Sequence, residues 1–477
     1  MSGDSRDYVE ARSVGEWRLP PGLRRSLPSY MRRKWVNFGK PIPLFEHLHK
    51  TFGPIAHYQF MGTLIVFVNE PAWIQEILIN QAGSFIKERT LKRMKILLGE
   101  GLITSDDPIH MRQRRIAAPA FHRQRIAGYA GEMVASAAAV RDNWRAGETV
   151  DVADAMMKLS LRIIARTLFD TEVTAEVLSV ADEVNTIMGI YNFLVAFPKL
   201  ESVLHWPIPG VVQFRKSRAR LDAIIGAMIA SRHALSAEEL AGRGDLLSEL
   251  IAARDEGDGT GMTDEQVRDE ALTIFLAGYE TVANALTWTW YLLSENPEAF
   301  ARMAAEVDAV LGGRGATLED YARLKYTEMV FAESMRLYPP AWAMGRQSTQ
   351  AVQLGEYRIP PGAHFFFSQY VMHRSAEWWD EPEAFRPERF SDEAKAGRPR
   401  FVYFPFGGGR RQCIGEGFAW MEGVLALATI AQRWRLKFVP QYPVEMQAKI
   451  TLRPRWPMMM RVEERLAGEY GKSIIQD

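Results

Sequence analysis

Two rhythms of hydrophobic and polar positions run along this chain, and the longer one dominates. Near the N-terminus, Ala56-His57-Tyr58-Gln59-Phe60 and Thr63 to Val68 flank Gly62 and read as a two-strand hairpin. Pro71 then marks a helix start, with Ile74, Ile77 and Leu78 on one face. Between 125 and 235 the spacing is mainly that of amphipathic helix, interrupted at Pro207 and Pro209. Its most apolar run, Ile190 to Phe197, reads as a core segment. The glycine-bearing polar run Asp255 to Gly261 is a loop, and it feeds the longest helix. Thr263 and Gln266 form a capping box, with Asp264 and Glu265 in the first turn. That helix can continue to Pro297, roughly 32 residues or about 48 Å, enough to cross a domain. Its middle, Leu272 to Leu293, is apolar nearly all round, as a helix buried through the centre must be. Short strands and turns follow at Gly355 to Ile359, Pro361-Gly362 and around Leu452 to Pro457. Phe418, Ala419, Met421, Val424, Leu425 and Leu427 make a late helical core stripe. The pattern predicts a mainly α fold with small β-sheets. We expect an irregular lead-in over 1–39, a single domain over 40–465 and a polar tail over 466–477.

Inside the long helix two local costs stand side by side, in Ala277-Gly278-Tyr279-Glu280-Thr281. A helical glycine costs about 1 kcal/mol relative to alanine, and a carboxylate among apolar residues is costly unless paired. Such a pair points to function more than to packing, although a kink with a satisfied glutamate is the simpler reading.

Composition narrows the partners. Lys plus Arg equals Asp plus Glu at 58 each, so bulk charge gives no reason to expect nucleic acid. Residues 1–20 lack a signal-peptide core, and no run approaches the roughly 20 apolar residues of a membrane span. We therefore expect a soluble, cytoplasmic protein without a transmembrane anchor. The basic segment Arg24 to Lys34 reads as a solvated lead-in or a peripheral membrane contact.

Cysteine usage carries most of the chemistry. Cys413 is the single cysteine among 477 residues, which excludes an intramolecular disulfide and fits a reducing compartment. Gly407, Gly408, Gly409 and Gly415 crowd around it, and Arg410 and Arg411 precede it. Cationic neighbours and a helix N-terminus favour thiolate over thiol. A thiolate in a tight glycine loop suits one task well, to be a single soft metal ligand. The plain alternative is a small buried hydrophobe.

The spacing Phe406-x-x-Gly409-x-Arg411-x-Cys413-x-Gly415 resembles the haem-binding loop of the cytochrome P450 family. The resemblance implies the P450 fold, with haem b between the long central helix and the cysteine-loop helix, and Cys413 as axial iron ligand. Phe406, Arg411 and Gly415 would then contact the cofactor. His110 and Arg114 share a helix face and match the positions that reach the haem propionates, as does Arg346. By the same resemblance Ala277 and Gly278 form the oxygen pocket, Thr281 hydrogen-bonds oxygen, and Glu280 supplies protons. Glu333, Arg336 and Arg389 match a structural triad beneath the haem. Ile86, Leu97, Phe193, Phe275, Ala341, Met344 and Trp456 are the expected substrate lining.

The activity this implies is a monooxygenase that hydroxylates or epoxidises a lipophilic small molecule. Electrons would come from a ferredoxin or flavodoxin-type donor with its reductase, since no flavin or iron–sulfur module is expected here. Arg112, Arg115, Arg410 and Arg433 are the expected basic docking patch. A haem-thiolate peroxygenase or isomerase would share the cysteine loop, and a non-enzymatic gas-binding haem protein stays open. Fatty acid, terpenoid, steroid and polyketide substrates all remain possible.

Overall fold

The structure, a computed structural model, describes residues 8–24, 41–170, 206, 208–255, 257 and 259–465. The expected hairpin forms: β1 (Ile55–Phe60) pairs antiparallel with β2 (Thr63–Val68). Met61 and Gly62 close it with φ of 50° and 81°, the positive angles that a two-residue hairpin turn needs to match strand twist. Sequence-distant strands complete the sheet. These are β3 (Phe85–Lys87), β4 (Met344–Ser348) and β5 (His364–Phe367). β5 runs parallel to β2 and antiparallel to β4, and β4 is antiparallel to β3.

The lead-in differs from the irregular segment expected. Tyr8–Val9 and Gly22–Leu23 pair with each other, and Gly22 sits opposite His57 of β1. Trp17–Leu19 joins a second small sheet through Arg18 and Arg358. These strands are two or three residues long, too short to show alternation, and their partners are distant in sequence. Residues Ile190 to Phe197, and Phe193 with them, lie outside the described residues.

Helices build the rest: α1 (Ile109–Ala117), α2 (Ala130–Asn143), α3 (Val152–Leu168), α4 (Asp264–Glu295), α5 (Lys325–Leu337) and α6 (Glu416–Ala431). The capping box opens α4 as expected, with reciprocal bonds of 3.2 and 3.0 Å between Thr263 and Gln266. α4 lies along α3 and also touches α5 and α6, while α6 lies along α2. The main core therefore runs through α4, where Trp288 and Trp290 are fully buried.

One buried acid in this core is unrelated to any expected site. Glu422 on α6 is fully buried; Ser160 on α3 donates to its Oε1 at 2.6 Å, and Oε2 has no partner. Burial pushes its carboxyl up from 4.5 to about 8, with the Ser160 bond pulling the other way. The folded protein thus keeps a proton that the unfolded chain loses between those two values, so stability falls as pH rises through that window. Glu422→Gln keeps an acceptor for Ser160 and removes the ionisation. It is expected to flatten the dependence of the urea midpoint on pH and to stabilise the protein at alkaline pH by about 1–3 kcal/mol.

Candidate active site

The cysteine loop is built from close approaches that only glycine permits. Gly407 and Gly409 have φ of 72° and 70°, a region side chains disfavour. A Cβ on Gly409 would overlap the carbonyl oxygen of Leu78, and one on Gly408 the ring of Phe401. The loop folds on its own backbone: Cys413 N–H donates to Phe406 O at 3.0 Å, and Gln412 N–H to Gly409 O at 3.0 Å. Arg114 on α1 clamps it from outside, donating to Gln412 O at 2.7 Å.

Cys413 is exposed, yet the protein around it pushes the thiol up to about 11. Both hold for a side chain whose surface is open to solvent while protein bulk surrounds it. Burial outweighs the Gly415 N–H and Arg114, so the polypeptide alone does not favour the thiolate, contrary to the sequence expectation. A coordinated metal cation would, because a ligating thiol gives up its proton.

A ring of cations converges nearby. Lys87 and Arg346 are register partners in the β3–β4 ladder, an arrangement of like charges that destabilises a sheet. Arg346 is 8% exposed; burial, then Arg411, push it down to about 10. His110 on α1 is pushed down to about 3, by burial first and then by Arg411, Lys87, Arg114 and Arg346. Its Nδ1 has no hydrogen-bond partner. Arg411 donates to Ser105 O at 3.0 Å, 3.5 Å from carboxylate oxygens of Asp106 and Asp107. Crowded cations around a buried imidazole whose Nδ1 makes no hydrogen bond, 3.6 Å from Asp107 Oδ1, fit a dianionic ligand such as the two propionates of haem. Lys87 escaped the sequence reading. Its signal was there, because strand alternation puts it on the same face as buried Phe85.

On α4, Ala277 and Thr281 lie one turn apart, and the Thr281 hydroxyl donates to Ala277 O at 2.6 Å. The same hydroxyl lies 3.5 Å from Gly278 O, so Gly278 is part of this turn, as expected for residues three apart on a helix. A Cβ on Gly278 would lie 2.7 Å from Ile164 Cδ1 of α3, so its missing side chain also admits the neighbouring helix. Phe275 packs edge to face on Phe169 at 5.8 Å. Glu280 faces the C-terminal hairpin, where Thr451 donates to its Oε1.

The triad closes as expected. Arg336 donates to both oxygens of Glu333, at 2.6 and 2.8 Å, and both residues are fully buried. Arg389 Nε lies 3.4 Å from Glu333 Oε1. Arg336 also donates to the carbonyls of His373, Pro382 and Ala384. His373, held neutral by burial and by Arg336, accepts from Phe404 N–H at 3.0 Å. Phe404 in turn receives Gly407 N–H at 2.9 Å. The triad is thus wired to the cysteine loop through one histidine.

Of the remaining lining residues, Ile86, Ala341 and Met344 are half-buried and Leu97 is buried. The Met344 methyl reaches the cysteine loop, where a Cβ on Gly407 would meet it at 2.9 Å. Trp456 departs from expectation: it is 40% exposed and stacks on Tyr442. The tip of that hairpin is Lys449 to Thr451, between β6 (Met446–Ala448) and β7 (Leu452–Pro454). The proposed basic patch is largely neutralised. Arg115 pairs with Asp255 at 2.9 Å, Arg410 with Asp107 at 2.9 Å and Arg433 with Glu464 at 3.1 Å. Arg112 lies 3.8 Å from the same Asp255. No helix among the described residues is long and apolar enough to cross a membrane.

Comparison with known proteins agrees with this geometry. The family model "Cytochrome P450" matches residues 20–460. Cyclooctatin synthase of Streptomyces melanosporofaciens is 39% identical over 80% of this chain and 83% of that protein. Cyclooctat-9-en-7-ol 5-monooxygenase of the same organism is 36% identical over 78% and 80%. Pentalenene oxygenase of Streptomyces avermitilis is 32% identical over 91% and 95%. The crystal structure of the cytochrome P450DA haem domain superposes with a TM-score of 0.83 at 26% identity, covering 93% of this chain and 98% of that one. With a glycine-wrapped cysteine, a cationic ring and a buried Glu–Arg–Arg triad on one α-rich scaffold, the chain belongs to the cytochrome P450 family and is a haem-thiolate monooxygenase.

Proposed function

We propose that this enzyme inserts one oxygen atom into a C–H or C=C bond of a lipophilic terpenoid, using haem b held by Cys413. The observation that carries the reading is Cys413 itself, the single thiol, exposed within a loop whose positive backbone angles glycine supplies. Haem bound through a thiolate supplies oxygen activation, because the sulfur pushes electron density that favours O–O cleavage. The chain supplies the rest. Lys87, His110, Arg114, Arg346 and Arg411 would hold the propionates and so fix the plane of the cofactor. Ala277 leaves room beside the Thr281 hydroxyl, which donates to a helix carbonyl at rest and can turn to an incoming oxygen. Glu280 carries the proton inventory of that site. Ile86, Ala341 and Met344 give the substrate an apolar surface and exclude water.

The substrate class rests on the relatives. Their names denote an unsaturated alcohol and an alkene, which among the classes left open by the sequence favours the terpenoid. Electrons are proposed to come from a ferredoxin or flavodoxin-type protein with its reductase. One cysteine cannot ligate an iron–sulfur cluster, which takes about four thiolates. Such carriers would place the enzyme in the cytoplasm. Since the four arginines expected to dock the donor are near carboxylates, reduction should depend only weakly on ionic strength.

The test is spectral. Terpenoid alcohols and alkenes, fatty acids and steroids are titrated into the haem-loaded protein, and the low-to-high-spin shift of the haem band is read. Tight terpenoid binding, followed by NADPH-dependent appearance of a product one oxygen heavier, is expected. A shift with fatty acids or steroids alone would overturn the substrate class. Peroxide-driven turnover with none from NADPH would favour a peroxygenase.

A further inference from the structure

One side of α4 is bonded, turn after turn, to the C-terminal hairpin. Glu280, Asn284 and Trp288 are four residues apart and share a ridge. Thr451 donates to Glu280 Oε1, Asn284 Nδ2 donates to Thr451 Oγ1 at 3.2 Å, and Trp288 Nε1 donates to Leu452 O at 3.1 Å. Thr451 and Asn284 are 5% and 3% exposed, so this hydroxyl bridge is sheltered from water. The same stretch of hairpin is fastened on its other side. Leu452 N–H donates to Pro340 O at 2.9 Å, and Trp342 Nε1 to Lys449 O at 2.8 Å. Two residues before Thr451, Lys449 is exposed and lies within electrostatic reach of Glu280.

A hydroxyl has one proton to donate. By accepting from Asn284, Thr451 is oriented with that proton on the Glu280 carboxylate. The bridge therefore sets where the acid points: toward the hairpin, about 100° around the helix from Thr281. We propose that Thr451, oriented by Asn284, is a positioning residue for Glu280, so that the C-terminal hairpin tip controls how this acid serves the oxygen site. This rests on the haem-thiolate reading and deepens it, because it assigns control of proton supply to a segment outside the long helix.

The experiment uses the haem-loaded full chain without substrate, a surrogate plant-type ferredoxin and its reductase. NADPH oxidation and hydrogen peroxide release are followed in H2O and in D2O. Thr451→Val keeps the shape and removes the hydroxyl; Thr451→Ser keeps the hydroxyl. Thr451→Val is expected to slow NADPH oxidation roughly tenfold, a fraction of what general acid catalysis contributes, and to enlarge the solvent isotope effect. Thr451→Ser should restore both to within about twofold. If the threonine acts through the acid, Glu280→Gln should cost at least as much as Thr451→Val, and the double variant should match Glu280→Gln, because coupled residues are not additive. All variants should retain the thiolate-type carbon monoxide band. Wild-type behaviour of Thr451→Val, multiplying effects in the double variant, or failure of Thr451→Ser to restore would each overturn the assignment. A wild-type protein without the thiolate band would instead overturn the haem-thiolate reading, and this inference with it.

Discussion

Glu333→Ala is expected to lower stability by about 3–5 kcal/mol, the cost of leaving a buried charge uncompensated. Arg336 is fully buried and gives two hydrogen bonds to Glu333. Without that carboxylate its positive charge keeps the carbonyls of His373, Pro382 and Ala384 and the face of the Trp379 ring, but no anion from Glu333. The loss compares with a total stability of about 5–15 kcal/mol for an ordinary domain. The damage should also be directional. Glu333 accepts the Arg386 N–H at 2.9 Å, and His373, which Arg336 holds by its carbonyl, supports Phe404 at the entrance to the cysteine loop. Urea unfolding should show the lower midpoint, and haem content of the purified protein should fall with it. Glu333→Gln should also destabilise, since it restores one acceptor but no charge. A Glu333→Ala protein with wild-type midpoint and haem content would show that the triad does not support the loop.

Cys413→Ser is expected to abolish NADPH-driven oxygenation and the thiolate-type carbon monoxide band while leaving the fold intact. Serine is close to cysteine in size, and the Cys413 backbone bond to Phe406 O does not use the side chain. Folded stability should therefore change by less than about 1 kcal/mol, within the range of conservative substitutions. What changes is ligand chemistry, because a hydroxyl is harder and far less acidic than a thiol and does not replace a soft thiolate on iron. Haem absorbance together with the carbon monoxide difference spectrum separates loss of the ligand from loss of the cofactor. Persistence of the thiolate band in Cys413→Ser would show that another group holds the iron.

Much of the site was legible because its residues sit in contiguous motifs. The cysteine loop, the Ala277–Thr281 turn and the Glu333–Arg336 pair each fall within one element, so local spacing determines their relations. What lies against each of these residues was not legible: Gly278 admits Ile164 of α3, and Phe275 packs on Phe169, contacts between elements that spacing along one helix does not reveal. Trp456, expected in the substrate lining, is exposed and stacks on Tyr442, while the hairpin tip lies at Lys449 to Thr451. The basic patch failed for another reason. Asp255, Asp107 and Glu464, which neutralise it, lie on other segments, so a one-dimensional count of arginines cannot see them.

By itself the sequence determined the helical class and the long capped helix, because periodicity and caps are local properties of the backbone, and its cysteine loop carried the resemblance that implied the family and its reaction class. Only the tertiary structure decided which charges meet. It set Lys87 opposite Arg346 through strands more than two hundred residues apart. It buried Glu422 against Ser160, and it tied Glu280 to Thr451 and Asn284. Each is a contact between elements, set by how helices and strands pack, and electrostatic energies change steeply with that distance and burial.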